Sequence, residues 1–106
     1  MAKYLFISSF TSEGIKGVTE KGGTARVEAA RDAAKSVGGS LESYYFGFGS
    51  EDAYVVCDLP DHAAAAAIAM TASGSGMVGV RTVVLLTAEE VDAVAKRQVQ
   101  YRPPGS

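Results

Sequence analysis

The sequence predicts one α+β domain in which a four-stranded sheet carries helices on a single face. Three observations predict it. The 106 residues suffice for one domain and one core, with little to spare. Four separate short runs are rich in β-branched and aromatic residues, as strands are. Between and after them lie segments that open on capping residues or carry apolar side chains at helical spacing.

Tyr4 to Phe10 reads as the first strand. Thr11 and Ser12 are N-cap candidates for a short helix over Glu13 to Lys21, weakened by Gly14 and Gly17 and ended by Gly22-Gly23. Thr24 opens a better helix, with Val27, Ala30, Ala34 and Val37 on one stripe, Arg26 and Arg31 among its solvated polar positions, and Gly38-Gly39 at its end. Ser40 to Phe48 is the second strand and Ala53 to Leu59 the third, joined as a hairpin through Gly49-Ser50-Glu51-Asp52. Pro60 stops the third strand. Asp61 caps a helix running to about Ala72, favoured as an acceptor and by its place at the positive end of the dipole. Met77 to Leu86 is the fourth strand. Thr87 and Glu90 then form a capping box before a short helix to about Lys96. The order is β-α-β-β-α-β with a helical appendix, the ferredoxin-like split βαβ arrangement. Residues 1–98 form the domain and 99–106 an extended tail, since Pro103-Pro104-Gly105 forbids regular structure.

Composition narrows the function classes. Hydrophobic residues make up 47% and charged residues 21%, and the net charge of −2 supplies no basic footprint for nucleic acid. No apolar run is long enough for a membrane span, and the short apolar run after Met1 does not make a signal peptide. A single cysteine, Cys57, rules out an internal disulfide and fits a cytoplasmic setting. With one histidine and one cysteine the chain has no zinc-type ligand set, and no motif calls for a cofactor. Gly47-Phe48-Gly49 lacks the strand-to-helix context of a phosphate loop.

The strand faces predict self-association. Tyr4, Phe6 and Phe10 point one way and Leu5 and Ile7 the other; Tyr44, Phe46 and Phe48 oppose Leu41 and Tyr45; Tyr54 and Val56 oppose Val55, Cys57 and Leu59. Both sheet faces are therefore largely apolar, yet the helices of this topology cover only one. A second copy packed sheet to sheet is the simplest cover. Ala63 to Ala72 contains no charge, so this helix is expected to be enclosed nearly all round, with an alanine surface left in water as the plainer alternative. Val83-Val84-Leu85-Leu86 on an exposed edge would call for protection.

Several of these segments resemble the GYD domain family: Gly38-Gly39-Ser40-Leu41-Glu42-Ser43-Tyr44-Tyr45, then Gly49-Ser50-Glu51-Asp52-Ala53-Tyr54-Val55-Val56, Leu59-Pro60-Asp61, and Arg81 to Thr87 followed by Glu89-Glu90. In the Gly-Tyr-Asp element that names the family, Gly49 and Asp52 match the flanks and Glu51 stands where tyrosine is usual. The resemblance implies a dimeric α/β barrel, two ferredoxin-like units packed sheet to sheet. It does not fix an activity.

Few side chains are candidates for chemistry. His62, the only histidine, is a candidate general base at a helix start or simply a first-turn residue. Asp52 is a second candidate base, or a turn aspartate bonding nearby amides. Asp58 and Arg81 each interrupt an apolar strand and are expected to face each other, as an ion pair or an anion site. The phenols of Tyr44 and Tyr54 are candidate ligand-binding groups or core, and Cys57 reads as an inert buried thiol. Two function classes follow. One is an oligomer binding a small molecule between sheet and helices, with cofactor-free catalysis an open extension. The other is a structural or regulatory assembly module. The expected partners are a second copy and a small-molecule ligand, with neither nucleic acid nor membrane.

Overall fold

A computed structural model describes residues 1–106. Its sheet is built around β1 (Ala2–Phe10), which pairs antiparallel with β3 (Ala53–Leu59) on one side and β4 (Val78–Leu85) on the other. β2 (Ser40–Phe46) pairs antiparallel with β3, giving the order β2-β3-β1-β4 and leaving β2 and β4 as open edges. Register follows from burial. Tyr4 lies opposite Cys57, and Phe6 opposite Val55, so the helix-facing side chains of the two central strands fall in one layer.

All the helices that pack on this sheet lie on one face. α1 (Ser12–Lys21) starts at Thr11, whose hydroxyl accepts the amide of Gly14 at 3.2 Å. Gly14 lies so close to the loop before β4 that an added Cβ would stand 2.0 Å from the Met77 carbonyl oxygen. The chain then turns at Gly22, whose φ of 84° suits glycine, straight into α2 (Gly23–Ser36). α2 lies over β2, and α3 (His62–Gly74) lies against β4. Asp61 caps α3 by accepting the amide of Ala64 at 2.8 Å. The capping box of Thr87 and Glu90 starts α4 (Ala88–Val94).

Tyr4, Phe6, Val55, Cys57 and Leu59 fill the core under Ala34, Ala64 and Ala65. The alanines let the helices approach closely, but the core is thin, and only 13 of 106 residues are buried. No helix is long and apolar enough to cross a membrane. The segment after β4 stands away from the core. It leaves Val91, Val94, Val99 and Tyr101 exposed and stretches the molecule to 54 Å along its longest axis.

Two expectations change, and for α3 the chain by itself shows the plainer of the two alternatives. The second strand ends at Phe46 rather than Phe48, because Phe48 takes a left-handed φ of 54° that breaks the extended run just after the last bond to the partner strand, Gly47 N–H to the Asp52 carbonyl at 2.9 Å. Leu41 packs on the core together with Tyr44 and Phe46 rather than opposing them. The cause is a register shift between Leu41 and Ser43, where Glu42 is an extra residue that alternation does not count. α3 is not enclosed within the chain. Ala64 and Ala65 are buried, but Met70 is 75% exposed, since no element of the chain lies over its outer side.

Candidate functional site

Between sheet and helices the structure leaves a chamber of about 110 Å³. The small side chains of Ala29, Ala30 and Ala33 on α2 and Ala72 on α3 do not fill the space above Phe6, Val55, Val78 and Val80, and Ile68 closes part of it. The polar side chains in its wall are few: Ser8 from β1, Tyr44 from β2 and Arg26 from α2, with the Cys57 thiol at its floor. A larger cleft of about 620 Å³ runs alongside, between α1, α2 and the end of α3. Phe10, Arg26, Ala29, Ala72 and Val78 belong to both, so Arg26 stands in the shared wall.

Arg26 is placed by the helix itself. It precedes Ala30, Ala33 and Val37 by four, seven and eleven residues and so falls on the inward stripe of α2. Its guanidinium carbon lies 6.0 Å from the centre of the Phe10 ring, within reach of a weak cation–π attraction. Its Nε is sealed from solvent and has no hydrogen-bond partner. Burial pushes the Tyr44 phenol above its ordinary pKa, against the smaller opposing pull of Arg26, so it stays protonated as a donor. Burial, with help from the Asp58 carboxylate, raises the Cys57 thiol to about 11, which keeps it a neutral wall atom instead of a nucleophile. From Tyr44 an aromatic series leads outward: its ring lies 4.9 Å from that of Phe46, which stacks on the exposed Phe48 at 5.5 Å.

Of the residues proposed from sequence as catalytic or ligand-binding, Tyr44 alone lines this chamber. His62 stands outside it. Its Nδ1 lies 2.7 Å from the Tyr4 hydroxyl, so the ring satisfies a phenol that is only 1% exposed. Asp52 is a tie between strands: its carboxylate accepts the Phe10 amide at 2.7 Å and its own amide donates to the Ser8 carbonyl at 2.8 Å. Tyr54, Asp58 and Arg81 lie on the helix-free face. The expected pairing of Asp58 with Arg81 does not form. Asp58 lies opposite Lys3 and binds its ammonium at 2.9 Å, in a cluster that Glu42 completes, while Arg81 lies opposite Ile7 and pairs with Glu51 at 3.0 Å. Strand order decides this, because β1 separates β3 from β4.

Sequence reasoning missed Arg26, which it placed among solvated charges. The available signal was its coincidence with the alanine stripe. No three His, Cys, Asp or Glu side chains gather to hold a metal ion.

The helix-free face bears Leu5, Ile7, Val56, Val83 and Leu85, with Tyr54 and Tyr45 toward the β2 side. It is thus a broad apolar surface bounded by the Lys3 cluster at one end and the Arg81–Glu51 pair at the other.

A family model described as GYD domain matches residues 4–95. No curated protein and no solved structure matches the chain.

Proposed function

The chain belongs to the GYD domain family, and from that premise we propose that it is a homo-oligomeric small-molecule-binding protein whose ligand occupies the chamber between sheet and helices. The chamber carries the reading. An apolar space with a few convergent polar groups is the usual form of a small-molecule site. We further propose that two ferredoxin-like units join through their helix-free faces as a dimeric α/β barrel, which would cover Leu5, Val56 and Val83. A cytoplasmic setting fits the single reduced thiol. The two candidate bases, Asp52 and His62, are engaged outside the chamber, so the reading is one of binding, with any catalysis resting on groups the ligand itself brings.

The test is an amide-resolved NMR titration of the full chain with benzene, a neutral probe of chamber size. Saturable shifts at Ala30, Ala33, Val55 and Cys57 are expected. Shifts confined to the exposed sheet face, or none, would overturn the reading.

A second reading, an assembly module without catalysis, is favoured by the exposed Val99 and Tyr101 on the projecting tail. Deleting residues 99–106 should then lower the mass seen by light scattering. An unchanged mass removes the tail from the assembly.

A further inference from the structure

The chamber is lined by apolar side chains except for Ser8, Tyr44 and Arg26, and of these Arg26 is a cation with no carboxylate beside it in the lining. Arg31 lies by Glu28 at 3.9 Å, Arg81 by Glu51 at 3.0 Å, and Lys3 by both Glu42 and Asp58. Arg26 makes no ion pair, and its Nε, sealed from water, has no hydrogen-bond partner. A guanidinium held this way is uncompensated, and an anion arriving from solution would satisfy it.

Resting on the binding reading above, we infer that the ligand is a small monocarboxylic acid with an apolar ring or branched alkyl end, its carboxylate on Arg26 and Tyr44 and its apolar end in the inner chamber. Size and charge both argue for this class. About 110 Å³ admits one ring or a branched chain of about five carbons, close to the engineered cavity of about 150 Å³ that takes up benzene. One guanidinium matches one negative charge. The other wall donors, the Tyr44 phenol and the Ser8 hydroxyl, are neutral and add hydrogen bonds without asking for a second charge. A dianion would meet no further cation inside the chamber; Lys21 lines only the adjoining cleft, where Glu13 lies too. The cleft leaves room for the acid to enter past Arg26 with its apolar end leading.

The experiment titrates the full chain at pH 7 with phenylacetate, benzoate and isovalerate, and with the matching amides, following backbone amides by NMR. At least one acid should move Ala30, Ala33, Val55 and Cys57 saturably and bind at least tenfold more tightly than its amide. Arg26→Gln should bring acid and amide to within about twofold of each other. Tyr44→Phe, which keeps the ring and its stacking, should weaken the acid severalfold and the amide less, because the hydrogen bond to a carboxylate is the stronger one, so the inference stays testable if Arg26→Gln fails to fold. If amides bind as tightly as acids, or Arg26→Gln and Tyr44→Phe leave the preference intact, the anionic class falls while the chamber stands as a binding site. If none of the six probes reaches the chamber, the inference falls together with the binding reading.

Discussion

The proposed pairing through the helix-free face is exposed to one substitution, Val56→Lys. Val56 lies between Leu5 on β1 and Ser43 on β2, near the middle of that face, and is only partly exposed. The chain has 7142 Å² of accessible surface. A compact monomer of its 11.0 kDa mass has about 5,600 Å². The excess of about 1,500 Å² is shared between the helix-free face and the projecting segment after β4, and a standard interface takes roughly 800 Å² from each partner. A two-fold pairing meets every substitution twice. Two lysines desolvated at several kcal/mol each exceed what most interfaces of this size tolerate. Even a total loss of about 4 kcal/mol weakens association by about 10³-fold. Size-exclusion chromatography with light scattering reads the result directly. The unmodified chain should run at twice its 11.0 kDa mass, and Val56→Lys at that mass with unchanged circular dichroism. A monomeric unmodified chain, or a dimer indifferent to Val56→Lys, refutes pairing through this face.

Three further outcomes test other parts of the molecule. Ala33→Leu grows into the chamber. An empty space of about 110 Å³ costs about 2.6 kcal/mol if fully enclosed, and because this one opens on the cleft a gain of about 1 kcal/mol is expected, seen as a rise in Tm of about 4–8 °C together with loss of probe binding. A lower Tm with binding retained would mean that the side chain does not enter. His62→Ala leaves the buried Tyr4 hydroxyl unpaired and should cost about 1–3 kcal/mol in chemical denaturation, part of which Tyr4→Phe restores in the same background. Equal stability with and without the imidazole would remove that bond from the account. For Cys57 the folded pKa of about 11 lies above the ordinary value of 9.0, so the folded state holds the proton longer than the unfolded one. Its contribution is full below about pH 9 and disappears as pH rises through 11. Urea midpoints should fall across that window and fall less in Cys57→Ala, and a parallel fall in both would assign the effect to other groups.

The strands were legible because burial imprints a period of two, and β3 shows it cleanly: Ala53, Val55, Cys57 and Leu59 are buried and the residues between them are not. The caps at Thr11, Asp61 and Thr87 were legible because one side chain does the work locally. What failed was non-local. Simple alternation puts Leu41 on the wrong face because a bulge is an agreement between two strands, and nothing within Ser40–Phe46 announces it. Asp58 and Arg81 both break apolar runs, which suggests a pair, but their actual partners, Lys3 and Glu51, follow from strand order and register. Arg26 looks the same in sequence whether its head meets water or the roof of a chamber, and only the small residues beneath it distinguish the two. Of the candidate site, then, one phenol was anticipated and the cation was not.

The bulge at Glu42 also bears on how far such a sheet could grow. β2 and β4 are both free edges, but they are unlike. The β2 edge is interrupted by the register shift and flanked by the Lys3 charge cluster, so a further strand finds no regular ladder there. The β4 edge is regular over its whole pairing with β1 and leads into the exposed Leu86. Strand addition therefore has one direction open to it. Two β4 edges meeting would make a continuous eight-stranded sheet that ends in a blunted β2 on either side, so lateral association along this edge halts at a pair instead of running on into a fibre.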